Sequence, residues 1–71
     1  MHFKVKMIWS IESRCWYTET DNELGITLSS NSFDALIERV RMAAPEMLEL
    51  NMGYTGPIYL EFETERMDMV S

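Results

Sequence analysis

Few side chains in this sequence could do chemistry, and their placement limits what that chemistry would be. A nucleophile needs a base beside it in a pocket. The sequence holds one cysteine, Cys15, and one histidine, His2. His2 stands near the start of the sequence, whereas Cys15 opens an aromatic run, Cys15-Trp16-Tyr17-Thr18. Cys15 therefore reads as a small packed hydrophobe rather than a reactive thiol. A single His and a single Cys leave no cluster for a structural zinc. Carboxylates are plentiful, and Glu61, Glu63 and Glu65 recur at every second position. On a strand that spacing puts all three on one face, where they could bind a divalent cation weakly. A metal-dependent hydrolase using Glu61 and Glu63 would follow, but a solvated acidic face accounts for the same residues without a ligand. No glycine-rich phosphate loop is present. The expectation is a chain that is not an enzyme, with no catalytic residue, no metal and no cofactor.

Length and charge set the frame for these side chains. Seventy-one residues make one domain, read here as a core over about residues 3–64 and a tail over 65–71. So small a core rarely supplies more than about 3–5 kcal/mol of net stability without a disulfide, a metal or a partner subunit. With one cysteine no internal disulfide can form, so self-association is the remaining helper and a homodimer is expected. Twelve acidic against six basic residues give a net charge of −6. An acidic surface repels a phosphate backbone, which argues against direct nucleic-acid binding by this chain alone. It suits a basic partner, although net charge also serves solubility without any partner. The lysines that interrupt residues 1–6 are unlike the apolar core of a signal peptide, so neither a signal peptide nor a membrane span is expected and a cytoplasmic location is the default.

The elements that must position these residues alternate clearly. Phe3, Val5, Met7 and Trp9 share one face of a first strand, with Lys4, Lys6 and Ile8 on the other. Residues 10–14 suit a hairpin loop, and Cys15–Thr20 returns as a second strand. Its register is open, because a slip of one residue exchanges Cys15 and Tyr17 for Trp16 and Thr18 on the buried face. The reading adopted puts Trp16 and Thr18 inward. Residues 21–25 are turn-forming, with a positive φ expected at Gly25, and Ile26–Ser29 is a short third strand. In the fourth, Ile58, Leu60 and Phe62 point inward and Tyr59, Glu61 and Glu63 outward.

Only the stretch from Ser32 to Asn51 has a helical period. At about 100° per residue, Phe33, Leu36, Ile37, Val40, Ala43, Ala44 and Met47 fall within an arc of roughly 120°. Asn31 and Ser32 are both competent N-caps. Proline inside a helix costs about 3 kcal/mol, so the helix is read as ending near Ala44. Pro45 would then open a short further turn through Leu50, or a kinked continuation, stopped by Asn51 and Gly53. The fold class is α+β, a single βββαβ domain. A right-handed crossover brings strand four parallel to strand one, giving a mixed four-stranded sheet in the order 3-2-1-4 with the helix on one face. Lys4 and Lys6 would then lie beside Glu61 and Glu63.

Taken together, Trp9 at the end of strand one, Cys15-Trp16-Tyr17-Thr18, Leu24-Gly25-Ile26 and the helix start Ser32-Phe33-Asp34-Ala35-Leu36 resemble the HicB-like antitoxin superfamily. Ala44-Pro45-Glu46-Met47-Leu48-Glu49-Leu50-Asn51 is similar to the helix ending of a small HicB-related family of stand-alone prokaryotic domains. The resemblance covers roughly residues 3–62. Ser10, Leu24 and Ser29-Ser30 depart from it, standing where members tend to carry aspartate, proline and an acidic–alanine pair. It implies a partial ribonuclease-H-like sheet without the acidic catalytic set of true nucleases. HicB proteins pair such a domain with a DNA-binding module and neutralise a small basic RNA-cleaving toxin. The implied role is the toxin-binding or self-associating half, with a stand-alone homo-oligomeric domain unrelated to toxins as the alternative. Seven methionines, among them Met42, Met52, Met67 and Met69 outside the core arc, add a hint of an adaptable binding surface. For such a surface the candidates are Ile8, Tyr59, Glu61 and Glu63, with Ile8 and Tyr59 expected to gather on the open sheet face or at a strand edge.

Overall fold

Alternation along the first and last strands dictates a sheet with one face buried, and the computed structural model has that sheet. The structure describes residues 1–20 and 24–70. Asp21, Asn22 and Glu23 of the expected turn, and Ser71 of the expected tail, lie outside the described residues. The elements are β1 (His2–Ser10), β2 (Cys15–Thr20), β3 (Ser29–Ser30), α1 (Phe33–Met52) and β4 (Tyr59–Glu65). The sheet order is β3-β2-β1-β4, with β1 antiparallel to β2 and parallel to β4. The topology expected from handedness is therefore the one found.

Phe3, Val5 and Met7 of β1 are buried beneath α1 with Leu24 and Ile26. Thr18 is buried on β2 and Trp16 packs against the core, so the even-numbered residues of that strand face the helix. Gly25 takes φ 60°, the positive value expected for the turn.

Two elements differ from the sequence reading. The third strand is two residues long and begins at Ser29, not at Ile26. The backbone before it is held by threonine hydroxyls instead of a full ladder. Leu28 N–H donates to Thr18 Oγ1 at 3.0 Å and Ile26 N–H to Thr20 Oγ1 at 2.9 Å. Both hydroxyls also reach Ile26 O, at 3.3 and 3.2 Å. Side chains thus meet most of the backbone groups of this segment, and Thr18 N–H donates to Leu28 O at 3.0 Å as the remaining backbone bond.

The second difference is the helix, which runs unbroken through Pro45 to Met52. Twenty residues span about 30 Å, against the roughly 19 Å expected of a helix ending at Ala44. Its N-cap is Ser32, whose Oγ accepts from Ala35 N–H at 3.2 Å. Its buried residues are Leu36, Val40, Ala44 and Leu48, a single row at four-residue spacing. Pro45 removes one helical hydrogen bond, and the burial of Leu48 and packing of Met47 beyond it favour continuation. Gly53 ends the helix at φ 65°, its N–H donating to Glu49 O at 2.9 Å, while Tyr54 N–H donates to Leu48 O at 3.2 Å.

The Cα radius of gyration is 13.1 Å and the principal extents are 48 × 18 × 16 Å. A compact chain of this length would have a radius of about 11 Å. The molecule is longer and thinner than a compact chain of this length. No helix among the described residues is long and apolar enough to cross a membrane.

Candidate functional site

The row at every fourth residue fixes where the helix lies, and with it which parts of the sheet remain open. The inward residues of β4, Leu60 and Phe62, and Ile58 just before it are only half-buried. They border a groove of about 350 Å³ whose other wall is Arg41, Ala44 and Pro45, with Gly56 at the margin. Pro45 thus contributes its ring to the groove wall. Tyr54 and Gly56 shape the loop between helix and strand. Tyr54 Oη donates to Pro57 O at 2.7 Å, and a Cβ on Gly56 would stand 2.9 Å from that same Oη.

On the opposite face of the sheet, paired registers place His2 beside Tyr59, Lys4 beside Glu61, Lys6 beside Glu63 and Ile8 beside Glu65. The ion pairs run diagonally across this register. Lys4 Nζ lies 3.6 Å from Glu63 and Lys6 Nζ 3.8 Å from Glu65. Lys4 and Lys6 thus lie beside Glu61 and Glu63, as the alternation implies, but the closest ion pairs are one step along the row, and the Glu61 carboxylate has no ion pair or hydrogen bond among the described residues. Exposed pairs of this kind contribute little, because solvent screens them and two long side chains must be ordered.

The four candidate residues do not form one patch. Glu61 and Glu63 share a row on β4, and Tyr59 lies in the same row, stacked on His2 at a centroid distance of 4.9 Å. Ile8 lies opposite Glu65 at the other end, six residues along β1 from His2, or about 20 Å. Ile8 and Tyr59 therefore do not gather, because the parallel register sets them at opposite ends of the strand pair. Ile8 instead neighbours Tyr17 on β2. No group of three or more His, Cys, Asp or Glu side chains among the described residues is placed to hold a metal ion.

A further cluster went unseen in the sequence. Phe33, Trp16 and Trp9 follow one another edge to face, at centroid distances of 4.9 and 5.3 Å. Arg66, assigned from sequence to a tail, lays its guanidinium 4.3 Å from the Trp9 ring and 5.6 Å from that of Trp16. Its Nε donates to Asp68 Oδ2 at 2.8 Å. The only sequence signal was that Arg66 continues the inward parity of Leu60, Phe62 and Thr64.

Comparison with known proteins bears on the whole of this arrangement. The model of a family described as "Domain of unknown function (DUF1902)" matches residues 2–71. No curated protein matches the chain. Among solved structures, it is similar to the crystal structure of hypothetical protein TTHA1013 from the extremely thermophilic bacterium Thermus thermophilus. That similarity has a TM-score of 0.79 at 25% identity, covering 99% of this chain and 100% of the other.

Proposed function

The chain belongs to the DUF1902 family, and from that premise we propose that it is a non-catalytic interaction domain, a HicB-like antitoxin-type protein that binds and neutralises a small basic ribonuclease toxin. The observation that carries this reading is the apolar inner surface of β4, where Ile58, Leu60 and Phe62 are left half-covered beside the Ala44–Pro45 wall. Exposed apolar surface that borders a groove is what a binding partner covers. The net charge of −6 selects a basic partner by speeding its encounter and disfavouring acidic competitors. Such a partner is masked by contact and needs no catalytic group from this chain.

Co-expression with the product of a short adjacent reading frame tests the proposal. A stable complex on co-purification and relief of growth arrest are expected. A basic neighbour that arrests growth and is not held by this chain would overturn the reading.

The elongated shape favours a second reading, self-association without a toxin. Nine hydrophobic residues form the buried cluster among the described residues, a small core for a molecule 48 Å long. A homodimer covering more of the sheet would add the burial that such a core lacks. Sedimentation at micromolar concentration decides it: a dimer supports this reading, and a monomer refutes it.

A further inference from the structure

We propose that the free edge of β4 takes up an extended segment of a partner protein in which apolar residues alternate with lysine or arginine. This deepens the interaction reading above by naming the surface and the chemistry of what it holds. Tyr59 N–H donates to Met1 O at 2.8 Å, so Tyr59 turns its backbone groups towards β1. By the period of two, Glu61, Glu63 and Glu65 do the same, and Leu60, Phe62 and Thr64 turn theirs away from the sheet. β4 is the last strand in the sheet order, so these outward groups form an open template for one more strand.

Only charge guards that template, in the glutamate row that alternates with Leu60, Phe62 and Thr64. The run Tyr-Leu-Glu-Phe-Glu-Thr-Glu from 59 to 65 contains no proline and no lysine. Its inward residues, Leu60 and Phe62, carry no charge. The other edge of the sheet is managed differently. β3 has two residues, and Arg39 Nη1 donates to Ser29 O at 2.9 Å.

Two features fix the chemistry of the occupant. A strand added beside β4 would place every second side chain over the groove walled by Ala44, Pro45, Leu60 and Phe62, which suits aliphatic residues. The alternate side chains would lie beside Glu61, Glu63 and Glu65, and Glu61 has no cation of its own among the described residues. Opposite charges on neighbouring strands are favourable and like charges opposed are not. A second copy is the wrong occupant for the same reason. Antiparallel pairing of two β4 strands sets one glutamate row against the other.

The test uses the full chain and three synthetic peptides: alternating valine and lysine, alternating valine and glutamate, and the first interrupted by proline. The valine–lysine peptide should bind, and binding should slow amide exchange at Leu60, Phe62 and Thr64. Glu61 and Glu63, whose amides already face β1, should change little. The other two peptides should not bind. Neutralising both carboxylates in Glu61→Gln/Glu63→Gln should weaken binding about 2- to 30-fold, from the usual value of two exposed pairs. Thr64→Pro removes an outward N–H where an edge strand tolerates proline and should weaken binding about tenfold, with circular dichroism unchanged. Equal binding of the glutamate peptide, protection at other residues, or a β4-paired dimer of the chain alone each overturns the proposal. A toxin that binds with undiminished affinity to Thr64→Pro would leave the functional reading standing and sink this one. Peptide capture on β4 without toxin neutralisation would do the reverse.

Discussion

Thr18 carries more of the fold than its size suggests, and replacing it with valine tests why. The side chain is 3% exposed, and its Oγ1 accepts from Leu28 N–H while reaching Ile26 O. Valine keeps the branched shape and removes both bonds. Ile26 O retains the Thr20 hydroxyl at 3.2 Å, so the principal loss is the acceptor for Leu28 N–H. A buried donor left without a partner costs about 1–3 kcal/mol. Leu28 is only partly buried, which places the expected loss at about 1–2 kcal/mol. For a domain of this size that lowers Tm by about 5–15 °C. Thermal unfolding by circular dichroism measures it, and amide exchange at Leu28 locates it. Thr18→Ser keeps the hydroxyl and should be the more stable of the two variants. If Thr18→Val matches the parent, or surpasses Thr18→Ser, the hydroxyl does not hold this segment and the account of β3 is wrong.

Three further outcomes follow from the helix and the aromatic cluster. Leu48→Ala, beyond Pro45, should cost about 2–5 kcal/mol because Leu48 is fully buried. Leu50→Ala, at a site 80% exposed, should stay within about 0.5 kcal/mol. Equal denaturation midpoints for the two would show that the helix past Pro45 contributes no packing. Gly53→Ala meets no steric obstacle but must adopt φ 65°, and should destabilise by about 1 kcal/mol in urea unfolding. Arg66→Ala should remove about 0.5–1 kcal/mol of cation–π attraction and shift tryptophan emission, since the guanidinium lies over both indoles. Unchanged emission would mean that Arg66 does not rest there in solution.

Strand parity was legible wherever the two faces differ in polarity. β1 and β4 could be read because Phe3, Val5 and Met7, and then Leu60 and Phe62, alternate with charged residues. β2 was harder, since aromatic and β-branched residues occupy both of its faces, and the buried Thr18 hydroxyl settles its parity. Pro45 misled because its penalty is local, whereas the burial of Leu48 and the Gly53 cap act from further along the chain. The same limit hid β3: threonine hydroxyls on one segment replaced the ladder of another, a relation between side chain and backbone that hydropathy does not record. The candidate residues suffered from register. Parity correctly put Ile8 and Tyr59 on one face, but only the pairing of His2 with Tyr59 shows that they stand at opposite ends of it. The groove depends on the lateral position of the helix, which follows from packing.

The asymmetry between the two sheet edges is the strongest constraint on what the surface can do. An unpaired edge is an aggregation hazard unless it is shortened, charged, covered or reserved for a partner. At β3 the chain shortens the strand and Arg39 meets Ser29 O. At β4 seven residues pair with β1, so the strand is not shortened, and the device it carries is charge. What β4 has instead is a glutamate row that repels its own copy while leaving the backbone available. Charge of that kind does not close an edge to every strand; it makes the edge selective by sign. On the proposal above, the same row would weaken self-pairing and strengthen a basic partner's hold, so that one set of residues would serve both solubility and specificity. Replacing Glu61 and Glu63 together with glutamine should therefore promote association of the chain with itself at high concentration even as it weakens the basic peptide. Light scattering against concentration reads the first effect and peptide titration the second; if the two move in the same direction, the glutamates are not setting the edge's selectivity.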